Sequence, residues 1–198
     1  MLLVALVGIG LLVVRPAWRV ERVLVHEEAA WREVVALSER AEAARRGVVR
    51  DLDRDGVGEP PPLGVLVRGE GPRYAPGPGG QAWRCGGYWF ALLTPGIDRR
   101  AAFPTDEARL ADYAEIAYAI VAWPADPGTS GMRAYLWTPA DAKVLRHAVD
   151  GFPYGGAERP PLPAEPLVGR EGGELRARRV HEPGADSPWK PPRESAPD

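Results

Sequence analysis

The sequence predicts an α+β fold in which one long N-terminal α-helix, hydrophobic and then amphipathic, packs on a small antiparallel β-sheet. Three observations carry this expectation: an uninterrupted apolar run from Met1 to Val14, a stretch from Arg19 to Arg46 without Gly or Pro, and three aromatic, apolar segments between Gly87 and Trp137 set off by Gly and Pro. They divide the 198 residues into a hydrophobic membrane or filament-core helix over 1–18, an amphipathic helix over 19–50, a β-rich globular domain over 51–150 and a Pro/Gly-rich flexible tail over 151–198.

The apolar run meets Arg15 after fourteen residues, short of the roughly 20 that a hydrocarbon span needs. No basic region precedes it and no small-x-small site follows in Arg15-Pro-Ala-Trp-Arg19, so a cleavable signal peptide is not expected. An anchor is expected under either of two arrangements: apolar residues stand ahead of Met1, or the helix packs against other helices in the membrane. Arg15, Arg19 and Arg22 oppose an extracytoplasmic domain, because positive charge after the run favours a cytoplasmic flank.

From Arg19 to Arg46 the apolar positions Val20, Val23, Leu24, Trp31, Val34, Val35 and Leu37 recur at mostly three- and four-residue spacings, which predicts one amphipathic helix. Joined to the apolar run across Pro16, where a kink is expected, it makes a rod of about 45 residues, or roughly 68 Å. Glu28, Glu33, Glu39 and Glu42 interleave with Arg32, Arg40, Arg45 and Arg46, as on any solvated helix face.

Strands are expected over Gly87–Thr94, Tyr113–Pro124 and Thr129–Trp137, with a fourth over Lys143–Val149. Short Gly/Pro connections and the absence of a convincing crossover helix make the sheet antiparallel. Trp83, Trp89, Trp123 and Trp137 fall in or beside these segments and read as core. Beyond Gly151, Pro and Gly are scattered among charges without aliphatic periodicity, hence the flexible tail, with Trp189 as a candidate partner-docking point.

One constellation has chemical character. Asp51, Asp53 and Asp55, followed by Gly56, match the first half of a calcium loop in which alternate carboxylates converge on one cation, and Glu59 adds an oxygen at the ninth position. Pro62 stands where such a loop carries its bidentate Glu, so calcium, the candidate cofactor, would bind weakly. A helix-terminating polar turn explains the same residues.

Catalytic arrangements do not emerge. His26, His147 and His181 stand apart without a nucleophile motif beside them, Asp106, Glu107, Asp112 and Glu115 read as loop carboxylates, and Gly77-Pro-Gly-Gly80 lacks the Lys of a phosphate loop. The single Cys85 excludes an internal disulfide, and a net charge of −2 gives no case for nucleic acid. No enzyme activity and no small-molecule substrate are expected.

Val7-Gly-Ile-Gly-Leu-Leu-Val-Val-Arg-Pro16, followed by a long helix and a small β-rich domain, resembles the mature N-terminus of type IV pilins and type II secretion pseudopilins. The segments Gly87–Thr94, Tyr113–Pro124 and Thr129–Trp137 after the Asp-rich loop are similar to those of uncharacterised pilin-like bacterial secreted proteins. The resemblance implies a non-enzymatic subunit, single-pass in the bacterial inner membrane, with its globular domain outside the cytoplasm. Its partners would be other copies or other pilin-like subunits, assembling through the N-terminal helix in a secretion or pilus-type system. The alternative is a monomeric, membrane-anchored binding module for a protein or glycan partner.

Overall fold

A computed structural model describes residues 2–51, 54–70, 73–96, 98–103, 111–148, 156–157, 160–163, 166–171, 174–181 and 188–191, with residues 2–19 and a few element ends described by backbone alone. Helix α1 (Leu2–Arg46) runs through Pro16 as one element. Its buried stripe is Ala30, Val34, Leu37 and Ala41, spaced four, three and four residues apart. Of the seven apolar positions expected to form the helix face, only Val34 and Leu37 are buried; Val20 and Leu24 are exposed at 60% and 53%. Ala30 and Ala41 complete the packing stripe because small side chains let the helix approach the sheet closely.

The helix ends in a Schellman arrangement, in which Val49 N donates to Ala44 O (3.1 Å) and Val48 N to Arg45 O (3.0 Å). The left-handed position falls on Val48, at φ 50°, and not on Gly47 beside it. A β-branched residue is strained there, so Val48→Gly is expected to raise stability by about 1 kcal/mol even after glycine's larger unfolded-state entropy is counted. Urea melts of the two proteins check this, and an unchanged or lower midpoint would contradict it.

A short helix, α2 (Leu63–Leu66), leads into the sheet, whose seven strands are β1 (Tyr74–Pro76), β2 (Ala82–Cys85), β3 (Tyr88–Pro95), β4 (Ala101–Ala102), β5 (Ala119–Pro124), β6 (Arg133–Trp137) and β7 (Leu145–Ala148). The order is β1-β2-β3-β5-β6-β7, with β4 beside the end of β3, and all these pairings are antiparallel, as expected. The segment Tyr113–Pro124 is not one strand: helix α3 (Ala111–Ile116) takes its first residues and β5 begins at Ala119. Asp112-Tyr-Ala-Glu-Ile116 contains no Gly or Pro, so nothing local prevents a turn of helix there.

Alternate residues of the strands serve two cores. Tyr88, Phe90 and Leu92 of β3, with Tyr118, Ile120 and Ala122, pack with the α1 stripe. Ala91 and Leu93, with Val121, Trp123, Ala134 and Leu136, pack on the opposite face. Strand β5 is buried throughout, which is why it reads as a continuous apolar run and not as an alternation.

The opposite face is covered by the segment expected to be a flexible tail, and that expectation is corrected for its described residues. Ala157, Leu167, Val168, Val180 and Trp189 are buried in the second core, and β8 (Val168–Glu171) pairs with β9 (Glu174–Ala177) in a hairpin. Polar contacts fasten the segment. Asp141 accepts from the amides of Val180 (3.0 Å) and His181 (3.3 Å), Leu167 N donates to Arg99 O (2.8 Å), and Trp123 Nε1 donates to Gly156 O (2.8 Å). The segment has no periodicity of its own because single anchors, far apart in sequence, are held by the sheet.

Candidate functional site

The features that bear on function gather on α1. Three of its carboxylates clamp the helix to the sheet. Glu27, buried at 4% exposure, accepts from the Met132 amide (2.8 Å) and from Arg133 Nη1 (3.0 Å). Glu33 takes hydrogen bonds from Arg73 and from the Tyr74 hydroxyl, and Arg40 links to Glu70 beside it (3.0 Å). Glu42 accepts from the Tyr118 hydroxyl (2.7 Å) and from Arg45 (3.1 Å). Of the charged residues read as a solvated helix face, Glu33 and Glu42 therefore bind the helix, whereas Glu28 and Arg32 form an exposed pair at 2.9 Å. Charge pattern alone cannot separate these roles, because the partners of Glu33 and Glu42 on the sheet side lie 40 to 76 residues away in sequence.

Burial by itself would raise the Glu42 carboxyl, but the hydrogen bonds from Arg45 and Tyr118, together with the charges of Arg45 and Arg46, hold it below its ordinary value. Burial pushes the Tyr118, Tyr74 and Tyr135 hydroxyls up, so they stay protonated donors or neutral packing groups. A depressed carboxyl contributes stability that is present above the ordinary value of 4.5 and lost as pH falls through the lower folded value. Glu42→Gln is therefore expected to lower stability at neutral pH and to flatten the acid limb of the stability profile. Urea midpoints across that limb test this, and an unchanged slope would oppose it.

Beside the clamp a trough of about 890 Å³ lies between α1 and the β6–β7 side of the sheet, walled by Trp31, Val35 and Glu39 on the helix and by Trp137, Lys143 and Val144 opposite. A second hollow of about 410 Å³ continues it past Trp31 and Val144 toward Leu24, Tyr135 and Arg146. Trp31 stands between them at 38% exposure. This is the largest aromatic surface that α1 leaves open among its described residues, and it can take an extended or helical apolar segment.

The acidic loop is placed elsewhere, at the C-terminal end of α1. Asp51 Oδ2 accepts from Gly56 N (3.1 Å) and Asp55 Oδ1 from Val57 N (2.7 Å), which are the local bonds of a polar turn. Asp55 is exposed while Glu59 is buried at 1% exposure, and Asp53 lies outside the described residues. Among the described residues no three His, Cys, Asp or Glu side chains are grouped to hold a metal ion.

The remaining singled-out residues are structural in their settings. His147 is buried against Trp189, with ring centroids 5.3 Å apart, and His26 lies against Gly87, where a Cβ would stand 2.9 Å from its Nδ1. Burial pushes the half-buried Cys85 thiol up. Gly77–Gly80 forms a tight turn with Gly79 and Gly80 at positive φ. Asp106 and Glu107 lie outside the described residues.

No family model, curated protein or solved structure matches this chain. Among the described residues no helix is long and apolar enough to cross a membrane.

Proposed function

We propose that the chain is a non-enzymatic, pilin-like or pseudopilin-like subunit, tethered in the bacterial inner membrane by its N-terminal helix and presenting the sheet domain outside the cytoplasm. One observation carries the reading. Helix α1 is continuous from Leu2, and among its described side chains the first one buried is Glu27, while Val20, Leu24 and Val25 ahead of it are exposed. The 24 residues Leu2–Val25 extend about 36 Å, and the exposed apolar side chains of Val20, Leu24 and Val25 need a partner other than the sheet. Assembly with other helices satisfies that need, by packing in a bilayer or in a filament core.

Membrane fractionation with cross-linking tests this on the full chain and on a chain beginning at Val20. The proposal expects membrane-bound protein that cross-links into ladders, with both properties lost on truncation. Strictly monomeric, membrane-bound protein would favour the second reading, an anchored binding module, for which the Trp31 trough is the supporting observation. Protein that stays out of the membrane fraction and forms no ladder would remove both.

A further inference from the structure

We propose that the trough between α1 and β7 is a cleft for a neutral polysaccharide chain, with Trp31 and Trp137 as its stacking surfaces; the inference rests on the binding-module reading of that trough. Its length selects a polymer. The helix wall runs from Leu24 to Arg46, about 33 Å at 1.5 Å per residue, and the two hollows along it meet at Trp31 and Val144. A single sugar fills a small part of such a length, whereas an unbranched chain occupies both hollows. The aromatic residues suit a pyranose ring. Trp31 is open to solvent, and Trp137 is half-buried with its ring held by Tyr118 at a centroid distance of 5.6 Å. An indole face offers an apolar plane to the C–H face of a sugar, while the sugar hydroxyls project sideways to polar partners.

The charges on the two walls choose among polymers. Glu28, Glu39 and Glu42 stand on the helix wall, and Lys143 and Arg146 stand opposite. Among the described residues Glu39, Lys143 and Arg146 have no ionic partner. A polyanion would meet the helix carboxylates and a polycation the basic strand side, so charge of either sign is opposed on one wall. Hydroxyl groups both accept and donate, and a neutral sugar takes hydrogen bonds from Lys143 and Arg146 while giving them to Glu39. An apolar helix in the same place would cover these charges without pairing them, which is costly. A peptide finds little backbone to join. The edge of β7 is engaged at Arg146, whose amide and carbonyl bond Lys190 at 2.8 and 2.9 Å, and α1 keeps its amides and carbonyls within the helix.

Affinity electrophoresis of the full chain, in a detergent without a sugar headgroup, tests the cleft. The gels hold, one at a time, a β-glucan, an α-glucan, a mannan and a galactan, with alginate as the anionic control. The cleft predicts retardation by at least one neutral chain, little changed by added salt, and about a tenfold loss of affinity in Trp31→Ala. Lys143→Ala, at an exposed position on the opposite wall, is expected to weaken the same retardation about threefold. Circular dichroism confirms that each variant is folded. No retardation by any neutral chain, retardation by alginate alone, or full retardation of both variants would overturn the cleft. An oligomer that Trp31→Ala dissolves would also overturn it and assign the trough to a second copy. Membrane fractionation of the same proteins keeps the two readings apart. Membrane-bound monomer without retardation removes the cleft and keeps the binding module, whereas retardation of a chain that stays out of the membrane supports the cleft and removes the anchor.

Discussion

Gly131→Ala is expected to destabilise the protein by about 3 kcal/mol, at the upper end of what one added methyl costs in a packed interior. A Cβ at Gly131 would stand 1.9 Å from the Tyr88 hydroxyl oxygen and 2.6 Å from the ring carbon that bears it. The ring has nowhere to go: Tyr88 is buried and its hydroxyl donates to Arg133 O at 3.0 Å. The damage should spread to the helix, because the next residue, Met132, supplies the amide that Glu27 accepts. Tyr88→Phe removes the nearest clashing atom, so the double variant is expected to regain part of the loss, a coupling that a double-mutant cycle reads directly. Urea unfolding of the four proteins is the measurement. A loss below about 1 kcal/mol for the single variant would mean that the hairpin yields more easily than its packing implies.

Trp189→Ala is expected to cost about 3 to 5 kcal/mol, the range for emptying a buried indole site. A residue in a flexible tail would instead change stability by no more than about 0.5 kcal/mol. The two outcomes do not overlap, so one melting experiment decides between them. Trp189 contacts His147 on the outer strand and belongs to the same core as Trp123 and Leu136 in the middle of the sheet. Its removal should also loosen the Lys190–Arg146 rung, which faster amide exchange at Arg146 would report.

The helix, the antiparallel sheet and the cores of β3, β6 and β7 were legible because their residues carry the signals locally: absence of breakers from Arg19 to Arg46, and aromatic runs closed by Gly and Pro. The packing stripe was harder. Ala30 and Ala41 contribute proximity and not hydrophobic bulk, so a search for large apolar residues passes over them and selects Val20 and Leu24, which are exposed. The covering role of Leu167, Val180 and Trp189 was illegible because their pattern belongs to the sheet on which they lie. The same holds for Glu27, Glu33 and Glu42: each is an ordinary surface residue by its neighbours in sequence and a clamp by its neighbours in space. The acidic loop presents the opposite case, since the turn bonds of Asp51 and Asp55 are local and follow from the Asp-Gly spacing itself.

The sheet is covered on one face by the beginning of the chain and on the other by its closing segment. Synthesis delivers α1 first, but Glu27 finds the Met132 amide only 105 residues later, and the second face stays bare until Trp189 has emerged. Contacts of such separation form late. A nascent molecule therefore passes most of its synthesis without a closed core. Both faces of the sheet close only when nearly the whole described domain has emerged.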